Sequence, residues 1–125
     1  MIYVASNLKH RDKWLNLRTR GWPISSTWID KEKGEDYQRL WASCIDEIVS
    51  DCQVLLLYQE EGDSNNGALV ELGAALAMDT SVVYVGPNYG VISALYHPNV
   101  SCFKTLDEGL AQVRTLLDEL PSCED

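Results

Sequence analysis

The sequence lacks the cysteine and histidine patterns of a metal site. None of its four cysteines, at positions 44, 52, 102 and 123, forms a C-x-x-C pair or stands near a histidine at zinc-ligand spacing. Three of the four fall within apolar segments, where a reduced cysteine behaves as a small hydrophobic residue. We therefore expect no bound metal, and we expect structural thiols in a reducing, cytoplasmic environment.

Apolar runs of membrane-spanning length are absent too, which argues against a membrane partner. The opening run 1–5 is too short for a signal peptide and is predicted to contain a strand. Basic residues are few, since 10 Lys and Arg stand against 19 Asp and Glu, for a formal net charge of −9. This balance argues against a nucleic-acid polymer as partner, although a local pocket can still bind a small nucleotide.

Several catalytic signatures are missing as well. There is no G-x-G-x-x-G segment after the first strand, no Walker A loop, no H-E-x-x-H and no G-x-S-x-G. A dinucleotide site of the Rossmann type is thereby disfavoured, and we expect no cofactor. Among small α/β enzymes, this leaves chemistry that carboxylates perform without a metal.

What the sequence does contain is an alternation of strand and helix patterns. Its 125 residues suit a single domain covering 1–125. Strands are predicted at 2–5, 24–29, 54–58, 82–85 and 100–103, and helices at 9–20 (ended by Gly21), 36–49, 68–78 and 107–120, with a charged loop at 31–35. The alternation predicts an α/β fold, a doubly wound, flavodoxin- or Rossmann-like parallel sheet of five strands in the order 2-1-3-4-5, with helices on both faces.

A sheet of this kind also predicts where a ligand binds. The site lies beyond the carboxyl ends of the strands, at the point where the strand order reverses. Here the reversal falls between strands 1 and 3, which indicates the Ser6-Asn7 loop and the loop 58–67. Ser6 and Gly67 are accordingly predicted to contact the substrate.

Glu71 is the residue in this region with the strongest claim to a chemical role. It is the only charge inside the predicted helix 68–78, which is apolar nearly all round and rich in small residues. We place it in the first helical turn, where free amide groups favour the ionised carboxylate, while burial would raise its pKa. The alternative is an acid that only stabilises the start of its helix.

Other candidates for the site are weaker. Trp28 and Asp30 end the second predicted strand and could stack on and hydrogen-bond a nucleobase, or could be a packed ring and a helix cap. Asp63 and Asn65 crowd the loop after strand 3, where ordinary turn chemistry is the alternative. Tyr3 is either functional or part of the core. His10 and His97 are expected at the surface.

Three segments together resemble the nucleoside 2-deoxyribosyltransferase superfamily. They are the opening Ile2-Tyr3-Val4-Ala5-Ser6, the strand 51–58 (Asp-Cys-Gln-Val-Leu-Leu-Leu-Tyr), and the Gly-x-x-x-Glu-Leu-Gly segment that begins at Gly67. The resemblance implies that Glu71 attacks C1′ of a 2′-deoxynucleoside to form a covalent deoxyribosyl-enzyme, which a second base or water then resolves. It also implies that Tyr3 orients the nucleophile. The transition state would resemble an oxocarbenium ion, which a close carboxylate stabilises.

The sequence departs from the family pattern at two acids. The family acid eight residues before the Asp that opens strand 3 is replaced by Ser43, with Asp46 the nearest carboxylate. The acid six residues before the nucleophile is replaced by Asn65, for which Asp63 could substitute. We keep all four as candidate substrate contacts. The departures make a hydrolase, a nucleotide-specific relative or a non-catalytic binder more plausible than base exchange.

Two functions from different classes therefore remain. The first is an enzyme that cleaves or transfers the N-glycosidic bond of a nucleoside or nucleotide. The second is a non-catalytic or TIR-like module that binds a nucleotide or an NAD derivative. The family also implies a homo-oligomer, a dimer or higher, in which the neighbouring subunit completes the site. Trp14, Trp22, Trp41, Tyr89 and Tyr96 would suit such an interface, or a core.

Overall fold

A parallel β-sheet forms the centre of the protein. The computed structural model describes residues 1–30, 37–50, 52–64 and 66–119. The strands are β1 (Ile2–Ser6), β2 (Val54–Tyr58), β3 (Ser81–Val85) and β4 (Val100–Phe103), and the α-helices are α1 (Arg11–Thr19), α2 (Tyr37–Ser50), α3 (Asn66–Ala77) and α4 (Leu106–Glu119). Short 3-10 turns occur at Leu8–His10, Thr27–Asp30 and Ser93–Tyr96. None of the helices in these ranges is long and apolar enough to cross a membrane.

The sheet has helices on both faces, as predicted. Tyr3 is in register with Leu55, which is in register with Val82. Tyr3 bonds to a residue of α3, so α3 covers the face to which Tyr3 points. Gly109 of α4 packs against Val83 and Val85, whose side chains alternate to the opposite face. β2 is buried along its whole length, which its continuous apolar sequence predicted.

The predicted strand order is wrong. The sheet has four strands in the order β1-β2-β3-β4, all parallel, rather than five in the order 2-1-3-4-5. The segment predicted as strand 2, residues 24–29, makes a single parallel bridge between Ile24 and Ile2 and then turns into the 3-10 segment Thr27–Asp30. The reversal of strand order from which the site was located is therefore not a feature of this sheet.

Side chains replace the missing strand along the outer edge of β1. Near its start, backbone bonds still join Ile2 to Pro23 and Ser25, at 2.8 and 3.0 Å. One pleat further on, the amide of Val4 donates to the Ser26 hydroxyl at 2.7 Å, and its carbonyl accepts from the Trp28 indole at 2.8 Å. Because both edge groups of Val4 are satisfied by side chains, the chain is free to leave the sheet after Ile24.

The helix boundaries differ from the prediction in one place that concerns the site. α3 begins at Asn66, two residues before the predicted start, so Glu71 lies in the second turn rather than the first. The first helix ends as predicted, with Gly21 at a φ of +102° and the amides of Gly21 and Trp22 bonded to the carbonyls of Arg18 and Leu17. The predicted loop 31–35 and Cys123 lie outside the described residues.

The edge of β1 gives the first prediction. Ser26→Ala leaves the buried Val4 amide without an acceptor, so we expect a loss of about 1–3 kcal/mol in the free energy of unfolding. Ser25→Ala is the matched control, since its hydroxyl makes only a 3.4 Å bond to a carbonyl that already accepts a backbone amide. Urea titration of both variants measures the difference. Equal losses in the two would contradict the role given to Ser26.

Candidate active site

The two residues to which the sequence assigned chemistry are in direct contact. Tyr3, on β1, donates a hydrogen bond from its hydroxyl to Oε2 of Glu71, on α3. Tyr3 is fully buried and Glu71 is 8% exposed. The bond joins the sheet to the helix that covers it, so the carboxyl group has a fixed position relative to β1.

Burial gives Glu71 an unusual affinity for protons. Loss of solvent raises the pKa of its carboxyl group to about 7, against a smaller lowering by the Tyr3 hydrogen bond, and the charge of Glu47 raises it further. The pKa of the Tyr3 hydroxyl is itself raised well above its ordinary value, first by burial and then by the Glu71 charge. Tyr3 therefore stays a hydrogen-bond donor while Glu71 exchanges its proton near neutral pH. The start of α3 is one turn away from Glu71, so the helix dipole is a lesser influence than we predicted.

Glu71 belongs to the wall of a cavity of about 310 Å³. The cavity lies between α2, the start of α3 and the loop after β1. It is lined by Ser6, Asn7, Leu8, Trp28, Leu40, Trp41, Cys44, Ser64, Gly67, Ala68 and Glu71. Two tryptophans and two leucines provide apolar walls, with the polar groups few, as in most small-molecule sites.

Gly67 and Trp41 shape one wall of this cavity together. A Cβ atom at position 67 would lie 3.2 Å from Cζ2 of Trp41, so the absence of a side chain lets the indole lie against the start of α3. Trp41 is 39% exposed and so forms part of the cavity mouth. The small residue at position 67 therefore makes room for an aromatic platform.

Of the other predicted contacts, the structure brings Ser6, Trp28 and Gly67 to the cavity. Ser6 is held there by the indole of Trp14, which donates to its hydroxyl at 2.7 Å. Trp28 has two tasks, since its ring lines the cavity while its indole N–H bonds to Val4. Asn65 lies outside the described residues.

Asp30 does not reach the cavity. Its carboxylate pairs with the Arg18 guanidinium at 2.7 Å, and its side chain is 57% exposed. The prediction that Asp30 contacts a base therefore fails, because the segment after Ile24 turns and directs the acid to α1.

The α2 residues that line the cavity differ from those predicted. Ser43 and Asp46 are exposed and do not line the cavity, whereas their neighbour Cys44 is buried in its wall. Burial raises the pKa of the Cys44 thiol to about 11, so it remains protonated at neutral pH. Glu47, one turn further along, is the α2 acid whose charge acts on Glu71. The apolar period Leu40-Cys44-Ile48 is the signal in the sequence that indicates this inward face, and it favours Cys44 over Ser43.

Asp63 is a loop anchor rather than a cavity residue. Its carboxylate bonds to Lys9 at 2.5 Å, to Nε2 of His10 at 2.9 Å and to the amide of Glu60 at 2.8 Å. Burial opposes its ionisation, but these hydrogen bonds prevail and hold its pKa at about 2. The expectation that His10 is a surface residue is wrong, since it is buried. The contacts fasten the loop after β2 to the turn after β1, and both segments carry cavity residues.

Comparison with known proteins supports the fold at low sequence identity. No family model matches the chain, and no curated protein sequence matches it. A solved structure of the 2-deoxyribosyltransferase from the psychrotolerant bacterium Bacillus psychrosaccharolyticus is similar, with a TM-score of 0.65 and 18% identity over 86% of this chain and 88% of that one. The protein therefore has an α/β fold with a parallel sheet. This 2-deoxyribosyltransferase has a similar fold.

The buried carboxyl group gives the second prediction. Because the folded-state pKa of Glu71 is raised from 4.5 to about 7, its favourable contribution is complete below pH 4.5 and is lost as the pH rises through 7. The loss amounts to about 3 kcal/mol in the free energy of unfolding. Glu71→Gln cannot ionise and keeps an acceptor for Tyr3, so we expect it to exceed wild type in stability at pH 8 and to lose this advantage towards pH 5.

Denaturant titration at a series of pH values measures this difference. The control is Glu61→Gln, which removes an exposed carboxylate and should leave the pH dependence of the wild type unchanged. A stability difference between Glu71→Gln and wild type that does not vary from pH 5 to 8 would contradict the raised pKa.

Proposed function

We propose that the protein cleaves or transfers the N-glycosidic bond of a (2′-deoxy)nucleoside or nucleotide, with Glu71 as the nucleophile. The observation that carries the proposal is the Glu71 carboxyl group, held by Tyr3 in the wall of an aromatic-sided cavity. The similarity in fold to a 2-deoxyribosyltransferase supports the same class of reaction. The raised pKa places the change from acid to nucleophile within the working range of an enzyme.

The chemistry has two steps. In the first, a Glu71 oxygen bonds to C1′ while the C1′–N bond breaks, and the base leaves with the bonding electrons and takes up a proton. In the second, water or another base bonds to C1′, the ester to Glu71 breaks and a proton is released. Because the Tyr3 hydroxyl occupies Oε2, the other oxygen, Oε1, makes the attack. Tyr3 is thus a positioning residue that also moderates the pKa of Glu71.

The lining of the cavity favours water over a second base as the acceptor. Among the described residues that line it, Glu71 has the only carboxylate. Holding an acceptor base for the second step would call for a further side chain that bonds to its polar edge, a requirement that water does not have, and Cys44, with its thiol protonated, stands where α2 faces Glu71. Hydrolysis is therefore the preferred form of the reaction.

A turnover assay gives the third prediction. Incubation with the common deoxynucleosides and their monophosphates, with and without an acceptor base, should release free base that chromatography detects. We expect kcat/KM to rise with pH and to level off above about 7, because only the ionised carboxylate attacks. Glu71→Gln should lower the rate about a thousandfold or more.

Tyr3→Phe is the more discriminating variant. It removes the hydrogen bond that lowers the pKa of Glu71, so the rising part of the pH profile should move to higher pH. A merely structural tyrosine would lower the rate without moving the profile. Release of base by Glu71→Gln at the wild-type rate would refute the proposal.

A non-catalytic or TIR-like module that binds a nucleotide or NAD derivative is the second candidate. The single carboxylate of the cavity is the observation in its favour. Thermal-shift measurements with deoxynucleotides and NAD derivatives separate the two. A shift in melting temperature without release of base would support the module over the enzyme.

We also propose a homo-oligomer that forms through the outer face of α3. Leu69 and Val70 are exposed on this helix and Met78 directly after its end, and Val70 is 56% exposed. The adjacent exposed side chains of Leu69 and Val70 provide apolar surface of the kind that a protein interface buries. Of the aromatics predicted for an interface, Trp41, Tyr89 and Tyr96 are exposed, whereas Trp14 is fully buried in the core.

The oligomer gives the fourth prediction. Wild-type protein at tens of micromolar should have the mass of a dimer or larger assembly by light scattering after size exclusion. Val70→Glu places a charge in the proposed interface without disturbing the core, so it should yield a monomer. Thr115→Glu, an exposed position on α4, is the matched control and should leave the mass unchanged. A monomeric wild type would rule the interface out.

A further inference from the structure

A second and larger cavity lies on the other side of the loop that follows β2. Its volume is about 1140 Å³, and it shares no lining residue with the Glu71 cavity. It lies over the carboxyl ends of β2, β3 and β4, between the loops that follow these strands and the turn Ser93–Tyr96. In parallel sheets this edge is where ligands bind.

Gln59, among the lining residues, has a side-chain amide whose hydrogen bonds are only half made. The residue is 3% exposed. Its Oε1 accepts from the Tyr84 hydroxyl and from Nδ2 of Asn88, both at 2.9 Å. Its Nε2 has no partner within the described part of the chain. A buried donor left unpaired is costly, so it indicates an acceptor that comes from outside the protein.

The Oε1 atom of this amide belongs to a closed hydrogen-bond network. The backbone amide of Asn88 donates to the Tyr84 hydroxyl at 2.9 Å, which closes a network of three residues. A Cβ atom at position 86 would lie only 2.6 Å from the Tyr84 hydroxyl oxygen and 2.9 Å from the Gln59 carbonyl. Gly86 therefore lets the chain pass directly over the network, which fixes the amide in a preorganised position.

The rim of the cavity selects by shape and charge. The rings of Tyr89 and Tyr96 lie 5.3 Å apart at 52°, and both residues are more than half exposed. Such rings offer stacking surfaces to a flat molecule. Glu60, Glu61 and Glu108 also line the cavity, against the single lysine Lys104. The excess of carboxylates disfavours a phosphate or any other anion.

We propose that this cavity binds an uncharged, planar heteroaromatic ring with a hydrogen-bond acceptor, of the class to which free nucleobases belong. Gln59 Nε2 donates to the acceptor, and the ligand ring stacks on Tyr96, against which Tyr89 packs at 52°. The geometry of the cavity supports the class of ligand, and the choice of a nucleobase within that class rests on the proposed function. The bound base is not the reacting one, because residues 59–64 separate it from Glu71. It contacts the loop that Asp63 fastens beside the active-site cavity.

Amide NMR spectra of the full chain test this proposal, with adenine, hypoxanthine, cytosine and uracil added separately to millimolar concentration. We expect shifts at the Gln59 side-chain amide and at Tyr89 and Tyr96. Gln59→Glu keeps Oε1 for Tyr84 and Asn88 and replaces only the donor, so it should weaken binding at least tenfold. Tyr96→Ala removes an exposed ring and should do the same without affecting the fold.

Trp41→Ala is the matched control, because it alters the Glu71 cavity alone. It should leave the shifts at Tyr89 and Tyr96 unchanged. The proposal is overturned if none of the four bases moves these signals, if shifts occur only around Glu71, or if Gln59→Glu binds as wild type does. These outcomes are independent of turnover, so a protein that releases no base could still bind one here.

Discussion

The hydrogen bond between Tyr3 and Glu71 is the constraint on which the rest of the structure depends. A carboxyl group at this depth is costly to ionise, so the fold supplies a donor for it, and a cavity beside it leaves space. The donor comes from the middle of β1, and the space comes from the small residues at the start of α3. The bond therefore joins α3 to the sheet and at the same time moderates the high proton affinity that burial gives the group.

The incorrect prediction of a fifth strand concerns the same region. Had residues 24–29 continued along β1, the Val4 edge would have been paired by backbone, and the Trp28 indole would have had no bond to make there. The side chains of Ser26 and Trp28 instead hydrogen-bond to Val4 at that edge. The chain therefore turns, and the Trp28 ring reaches the cavity. A departure from regular structure thus builds part of the site, which is where local sequence rules are expected to fail.

The sequence predicted much of the fold, and several of its candidate site residues lie together in the structure. β2 and β4 were placed to the residue, and for β2 a continuous apolar run between polar ends leaves little choice. Glu71, Tyr3, Ser6, Trp28 and Gly67 were assigned to one site, and the structure places them around one cavity or in direct contact. Asp30 and Asp63 were misplaced for a physical reason. Their partners, Arg18 and the Lys9–His10 pair, are 12 and up to 54 residues away, and local spacing does not reveal such contacts.

The contacts of Lys9 and Arg18 also explain why basic residues are concentrated near the start of the chain. Five of the ten basic residues lie between Lys9 and Arg20, with Asp12 as the only acid among them, in a chain of net charge −9. A basic segment of this kind would ordinarily indicate an anionic partner. Here Lys9 holds Asp63, Arg18 holds Asp30 and Arg11 donates to the carbonyl of Ile29. Three of the five cations thus fasten the two loops that flank the Glu71 cavity. Their positive charge serves to position its walls, since Trp28 is on one of these loops and Ser64 on the other.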